Sequence, residues 1–229
     1  MRTETVAIPN GTPNLSGYLA IPAGLGKFPA VVVIHEAFGL NESITQVADR
    51  FANEGYIALA VDLFAGRNRA ICMARFLGTM FFGDSLNHEG IRDLKAALSW
   101  LEQRPNVDAS KLGAIGFCLG GGFAIAWACT DKRLNVIAPF YGVNPRPFEA
   151  VKRLCPVVGS YPAQDFTKGH GEKLEAELSS DNIPHDIKIY PNTHHSFFTR
   201  TRDVAETETA QDSWARIMSF FGQHIGMTR

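Results

Sequence analysis

The stretch Phe28–Glu36, FPAVVVIHE, is apolar at nearly every position, with three consecutive valines. A strand with one wet face alternates apolar and polar residues. An unbroken β-branched run fits a strand covered on both faces, as in a parallel sheet between helices. Similar runs recur in YIALAVDLF (56–64), KLGAIGF (111–117), LNVIAPFYG (134–142), CPVVGSY (155–161) and HDIKIYP (185–191). Helical patterns interleave with them. One runs from about Glu42 to Glu54 and stops at Gly55. A second carries Ile91, Leu94, Leu98 and Leu101, and a small-residue helix follows Phe117. A last one carries Trp214, Ile217, Met218 and Phe221. This order predicts an α/β fold, a mostly parallel central sheet flanked by helices on both faces. TETVAI and SGYLAI, around Asn10-Gly11 and Pro13-Asn14, predict a short antiparallel start. The 229 residues are 45% hydrophobic, enough for one α/β domain over residues 1–229. Residues 64–88 break the rhythm with Arg67, Arg69, Arg75, Phe76, Phe81 and Phe82. They read as a lid-like excursion over the sheet edge.

Charge and cysteine usage narrow the function classes. The formal charge is -1 with acids and bases interspersed, so no basic face is expected for nucleic acid. The start, MRTETVAIPNG, lacks the apolar core of a secretory signal, and AVVVI and IALAV are too short to span a bilayer. Cys72, Cys118, Cys129 and Cys155 are widely spaced and form no C-x-x-C pair. The reading is a cytoplasmic chain with reduced thiols and no membrane partner.

One cysteine sits at an unusual place. GAIGFCLGGGFA puts Cys118 where an apolar strand ends and a small-residue helix begins, between Gly116 and Gly120. Ligands of open α/β sheets bind beyond the carboxyl ends of the strands. G-x-S-x-G at such a turn is the nucleophile elbow of α/β-hydrolases, and here cysteine replaces serine. Taken alone, Cys118 could equally be a small buried hydrophobe. Further residues follow in the hydrolase order of nucleophile, acid and histidine. Asp165 stands in the loop after GSYPAQDF, and His194 and His195 stand after the next strand, in YPNTHHSFF. A histidine there can take the thiol proton, and an aspartate can fix its tautomer. Glu36 ends the FPAVVVIHE strand, where a charge is expensive unless paired or functional. The oxyanion hole of this fold joins the amide after the nucleophile to one from the loop after the third strand, here Leu119 and Ala37. His35 reads as a packed structural histidine, and Cys72, Cys129 and Cys155 as structural thiols. The His194-His195 pair has no carboxylate or cysteine at ligand spacing, so no metal is expected.

VVVIHEAFGLN, GFCLGGGFA, GSYPAQDF and HHSFF together resemble the dienelactone hydrolase (carboxymethylenebutenolidase) family over nearly the whole chain. The resemblance implies an α/β-hydrolase fold, no cofactor, and a triad of Cys118, Asp165 and His195. His195 is preferred to His194 because it directly precedes Ser196-Phe197. The resemblance also makes Glu36 the carboxylate that holds the thiol at rest and accepts its proton when substrate binds. The implied substrate is a small enol lactone or ester bearing a carboxylate, held by arginines for which Arg75, Arg200 and Arg202 are the candidates. Arg200 stands one residue away from the family's pattern.

The alternatives are a broader small-molecule esterase or thioesterase, a ligand-binding protein that kept this fold without turnover, and a thiol redox sensor. Every catalytic residue type is retained, which disfavours the second. No resolving cysteine lies near Cys118 in sequence, which disfavours the third.

Overall fold

The computed structural model describes residues 1–200 and 203–226. Eight strands form one sheet in the order β1-β2-β4-β3-β5-β6-β7-β8. They are β1 (Arg2–Ala7), β2 (Ser16–Ile21), β3 (Phe28–Ile34), β4 (Ile57–Asp62), β5 (Val107–Phe117), β6 (Val136–Phe140), β7 (Val157–Pro162) and β8 (His185–Tyr190). β1 pairs antiparallel with β2, and β2 antiparallel with β4, while all pairings from β4 to β8 are parallel. The antiparallel start and the parallel body both match the expectation. Every residue of β3 is buried, which explains its unbroken apolar run.

Among the described residues six α-helices flank the sheet: α1 (Glu42–Asn53), α2 (Arg69–Phe82), α3 (Glu89–Glu102), α4 (Leu119–Ala128), α5 (Lys168–Ser180) and α6 (Val204–Ile225). Two apolar layers result, one on each face. One gathers β-strand side chains with α3 and α4, the other with α1 and α6. α4 is buried along its whole length. Its small residues let it lie close to the strands, so it shows no amphipathic pattern. Among the described residues no helix is long and apolar enough to cross a membrane.

The excursion at 64–88 is mostly helical. Asn68 caps α2 by accepting a hydrogen bond from the Ile71 amide, and a short 3₁₀ turn at Ser85–Asn87 follows. Phe64 and Phe76 are buried and Met73 and Leu86 pack against the core, whereas Ile71, Leu77 and Phe82 are exposed.

Candidate active site

β3, β5, β6, β7 and β8 run parallel, so their carboxyl ends open onto one edge. Cys118 lies there, between the last residue of β5 and the first of α4, with φ 54° and ψ -113°. Its amide donates to the Phe140 carbonyl at 3.0 Å, and the Gly122 amide donates to the Cys118 carbonyl at 3.2 Å. The turn closes only with glycines beside it. A Cβ on Gly116 would lie 2.0 Å from the Gly120 carbonyl oxygen, and one on Gly120 would lie 2.3 Å from that of Ile34. The close approach of α4 to β3 and β5 thus leaves room for backbone alone.

His195 sits in the loop after β8. Its Nδ1 is 2.7 Å from Asp165 Oδ2. A carboxylate only accepts, so Nδ1 carries the proton and Nε2 is left for the sulfur. Asp165 also accepts from the Thr167 hydroxyl. Burial works against the Asp165 charge, but the hydrogen bonds from His195 and Thr167 outweigh it and hold the carboxyl below its usual range. Burial likewise opposes a charged His195. Contacts with Asp165 and with the Cys118 thiol reverse this and raise its pKa to about 10. The expected triad is therefore together in space. His194 points elsewhere, with its amide and its Nδ1 both on the buried Glu206 carboxylate.

Glu36 is buried, and Oε1 accepts from the Thr199 hydroxyl at 2.7 Å and the Tyr141 hydroxyl at 3.3 Å. Burial raises the Tyr141 phenol well above its ordinary range, and the neighbouring charges of Glu36 and Cys118 add to this. His35 fixes the backbone beneath. Its Nε2 accepts from the Leu63 amide at 3.1 Å, so Nδ1 holds the proton and donates to the Glu36 carbonyl at 2.6 Å. Burial lowers the His35 pKa and keeps it neutral. Ala37 follows in a turn closed by the Gly39 amide on the Glu36 carbonyl at 3.1 Å. Leu119 opens α4, where first-turn amides have no acceptor within the helix.

The arginines divide. Arg200 lays its guanidinium 3.8 Å from the centroid of Phe38, next to Ala37. Arg75 is turned to Glu89, with Nη2 2.9 Å from Oε2, and Arg67 takes the other oxygen at 2.9 Å. Arg202 lies outside the described residues. Among the described residues no cluster of three or more His, Cys, Asp or Glu is arranged to hold a metal ion.

Four contributors went unread in the sequence. Tyr141 packs its ring 4.8 Å from that of His195, and exposed Phe166 stacks on the other side at 5.7 Å. Thr167 and Thr199 fix the two carboxylates. Tyr141 directly follows β6, so the rule that placed Cys118 would also have found it. Thr199 stands beside Arg200, where charge drew the attention. Cys118, Tyr141 and Ser196 all have positive φ, at 54°, 39° and 67°. Strained backbone gathered in this way is typical of functional sites.

The dienelactone hydrolase family model matches residues 15–225. A candidate carboxymethylenebutenolidase from Synechocystis is 28% identical, over 96% of each chain. The structure of a candidate dienelactone hydrolase from Klebsiella pneumoniae superposes with a TM-score of 0.83 at 26% identity, covering 97% of this chain and 99% of that one. A dienelactone hydrolase-like promiscuous phosphotriesterase from metagenomic libraries superposes with a TM-score of 0.84 at 25% identity, covering 98% and 99%.

Proposed function

The chain belongs to the dienelactone hydrolase family and is a carboxylic ester hydrolase; on that premise we propose that it opens small esters or lactones through a covalent Cys118 thioester. The observation that carries the reading is the His195 ring, which faces the Cys118 thiol on one side and Asp165 on the other.

The Cys118 sulfur attacks the carbonyl carbon as a thiolate, its proton passed to Glu36 while His195 holds its own proton on Nε2. The carbonyl oxygen takes negative charge and meets the amides of Leu119 and Ala37. Such donors are each worth about 3 kcal/mol in the transition state. The C–O bond to the leaving group then breaks, and His195 gives its proton to that oxygen. In a lactone the leaving oxygen stays tethered to the acyl group. Water attacks the thioester, His195 takes its proton, and the thiolate leaves. Asp165 holds the imidazole in the required tautomer throughout.

Glu36 acts on the thiol. A carboxylate beside the sulfur disfavours the thiolate, because like charges repel at short range. It keeps the nucleophile quiet until substrate changes the balance and Glu36 can accept the proton. Thr199 and Tyr141 are positioning residues that hold Oε1 for this. Of the two described candidates, Arg200, whose guanidinium lies on Phe38 next to Ala37, is better placed than Arg75 to meet a substrate carboxylate. Arg75, engaged by Glu89, serves mainly to fasten α2.

Mixing the enzyme with p-nitrophenyl acetate tests the core of this. A burst of nitrophenolate equal to the enzyme concentration is expected. Cys118→Ala should lose the burst and more than about 10³-fold of turnover. A Cys118→Ala protein that hydrolyses at a near-normal rate would overturn the cysteine mechanism.

A further inference from the structure

The peptide joining Glu36 to Ala37 is a planar trans unit. Its carbonyl and its N–H therefore point in opposite directions, and whatever fixes the carbonyl also aims the N–H. This strand end lies directly against the nucleophile elbow. A Cβ on Gly120 would lie 2.7 Å from the His35 carbonyl oxygen.

The two sides of the peptide are treated differently. The Glu36 carbonyl oxygen accepts from His35 Nδ1 at 2.6 Å and from the Gly39 amide at 3.1 Å, so both of its lone pairs are engaged. The Ala37 amide, on the opposite side, donates to no acceptor among the described residues, although Ala37 is half-buried. A peptide gripped by its oxygen with its N–H left open is arranged to meet an acceptor that arrives from outside. The Glu36 carboxylate takes no part in this grip, because it turns to Thr199 and Tyr141.

The His35 ring serves in one form only. It is fully buried, with its centroid 4.9 Å from that of Phe64. The Leu63 amide, just beyond β4, donates to Nε2 at 3.1 Å. A backbone N–H can only donate, so Nε2 is bare and Nδ1 carries the proton. The other tautomer would set two N–H groups against each other and turn a lone pair on the Glu36 oxygen. Folded proteins avoid both faults when the groups are buried. The end of β4 thus sets the ring, the ring sets the Glu36 carbonyl, and the carbonyl sets the Ala37 N–H. A hydrogen bond to the carbonyl oxygen also polarises the peptide and makes its N–H a stronger donor.

We infer that His35 is a positioning residue of the oxyanion hole, aiming the Ala37 N–H at the oxygen that turns negative when Cys118 attacks. The inference rests on the thioester reading above and adds to it a residue that acts through the main chain.

The p-nitrophenyl acetate burst and alkylation by iodoacetamide use the same thiol, but only the first builds an oxyanion. Loss of the burst in Cys118→Ala secures the thioester reading first, so the outcomes that follow bear on His35 alone. His35→Gln keeps an acceptor for the Leu63 amide and loses the donor at the Nδ1 position. His35→Asn places an amide N–H at that position. With folding checked by circular dichroism, His35→Gln should slow the burst at least about tenfold, short of the roughly 10²–10³ lost with a whole oxyanion donor. Its alkylation should stay within about twofold of wild type. His35→Asn should recover most of the burst rate. Nitrogen NMR of the wild-type ring needs no variant and should show the Nδ1–H form. A His35→Gln burst as fast as wild type, a burst and an alkylation that slow together, a His35→Asn variant no faster than His35→Gln, or an Nε2–H ring in the wild type would each overturn the inference.

Discussion

Two carboxylates belong to the same site and are held in different ways. Asp165 is bound to an imidazole that carries positive charge readily, and its second partner is the Thr167 hydroxyl. Glu36 is bound by two hydroxyls, of Thr199 and Tyr141. Each acid has its threonine, but only Asp165 has a partner that can share a proton. The Asp165 charge is therefore compensated inside the site, whereas among the described residues Glu36 is met by the neutral hydroxyls of Thr199 and Tyr141. A charge held by neutral hydroxyls responds more strongly to what enters the pocket than one held by an imidazolium. One carboxylate is thereby suited to orient, the other to respond.

Replacing each acid by its amide puts that contrast under the heaviest test. Asp165→Asn should lower turnover by about 10⁴-fold, because the amide favours the wrong imidazole tautomer. Glu36→Gln should lower it less, by about 10²-fold. The same pair should part company under iodoacetamide at neutral pH. Without the like charge, Glu36→Gln should alkylate faster than wild type, and Asp165→Asn slower. If both amides slowed alkylation, Glu36 would be a structural group and the contrast would collapse.

The next test compares the threonines. Thr199→Val removes one neutral hydrogen bond to Glu36 and should cost about tenfold in turnover, with alkylation shifted in the same direction as in Glu36→Gln. Thr199→Ser should restore both. A valine variant with lower turnover and unaltered alkylation would mean that Thr199 only packs.

A smaller effect lies in the titration of His195. Its pKa of about 10 draws on both Asp165 and Cys118. The folded value is raised above the ordinary imidazole value of 6.5, so its stabilising contribution is complete below about pH 6.5. It is lost as pH rises through about 10. Cys118→Ala removes the sulfur's share, and the midpoint of the His195 ring resonance should fall while remaining above that of a free imidazole. A midpoint unmoved by Cys118→Ala would assign the whole shift to the Asp165 side.

Much of this architecture is legible in the amino-acid sequence. Two-face burial writes itself as an unbroken run, so β3, β4 and β5 could be read directly. Strand ends and chain order point to Cys118, Asp165 and the His194-His195 pair, and the resemblance alone prefers His195. α5 is not legible, because its buried positions are Gly171, Leu174 and Leu178, too few to stand out. The partners of Glu36 were hidden for another reason. Thr199 and Tyr141 are 163 and 105 residues away from it along the chain, and hydroxyl contacts leave no periodic mark. Arg75 was read from its charge, but a charge alone does not say which acid will claim it, and Glu89 does.

The left-handed backbone at Cys118 has a consequence for heat resistance. A side chain held at φ 54° is strained by roughly 1–3 kcal/mol, and glycine relieves that strain. In a protein of this size each kcal/mol moves the melting temperature by about 2–4 °C. Cys118→Gly should therefore melt several degrees above Cys118→Ala by differential scanning calorimetry, and equal melting points would show the turn to be relaxed. Selection for thermal tolerance alone would then favour variants that have discarded the nucleophile.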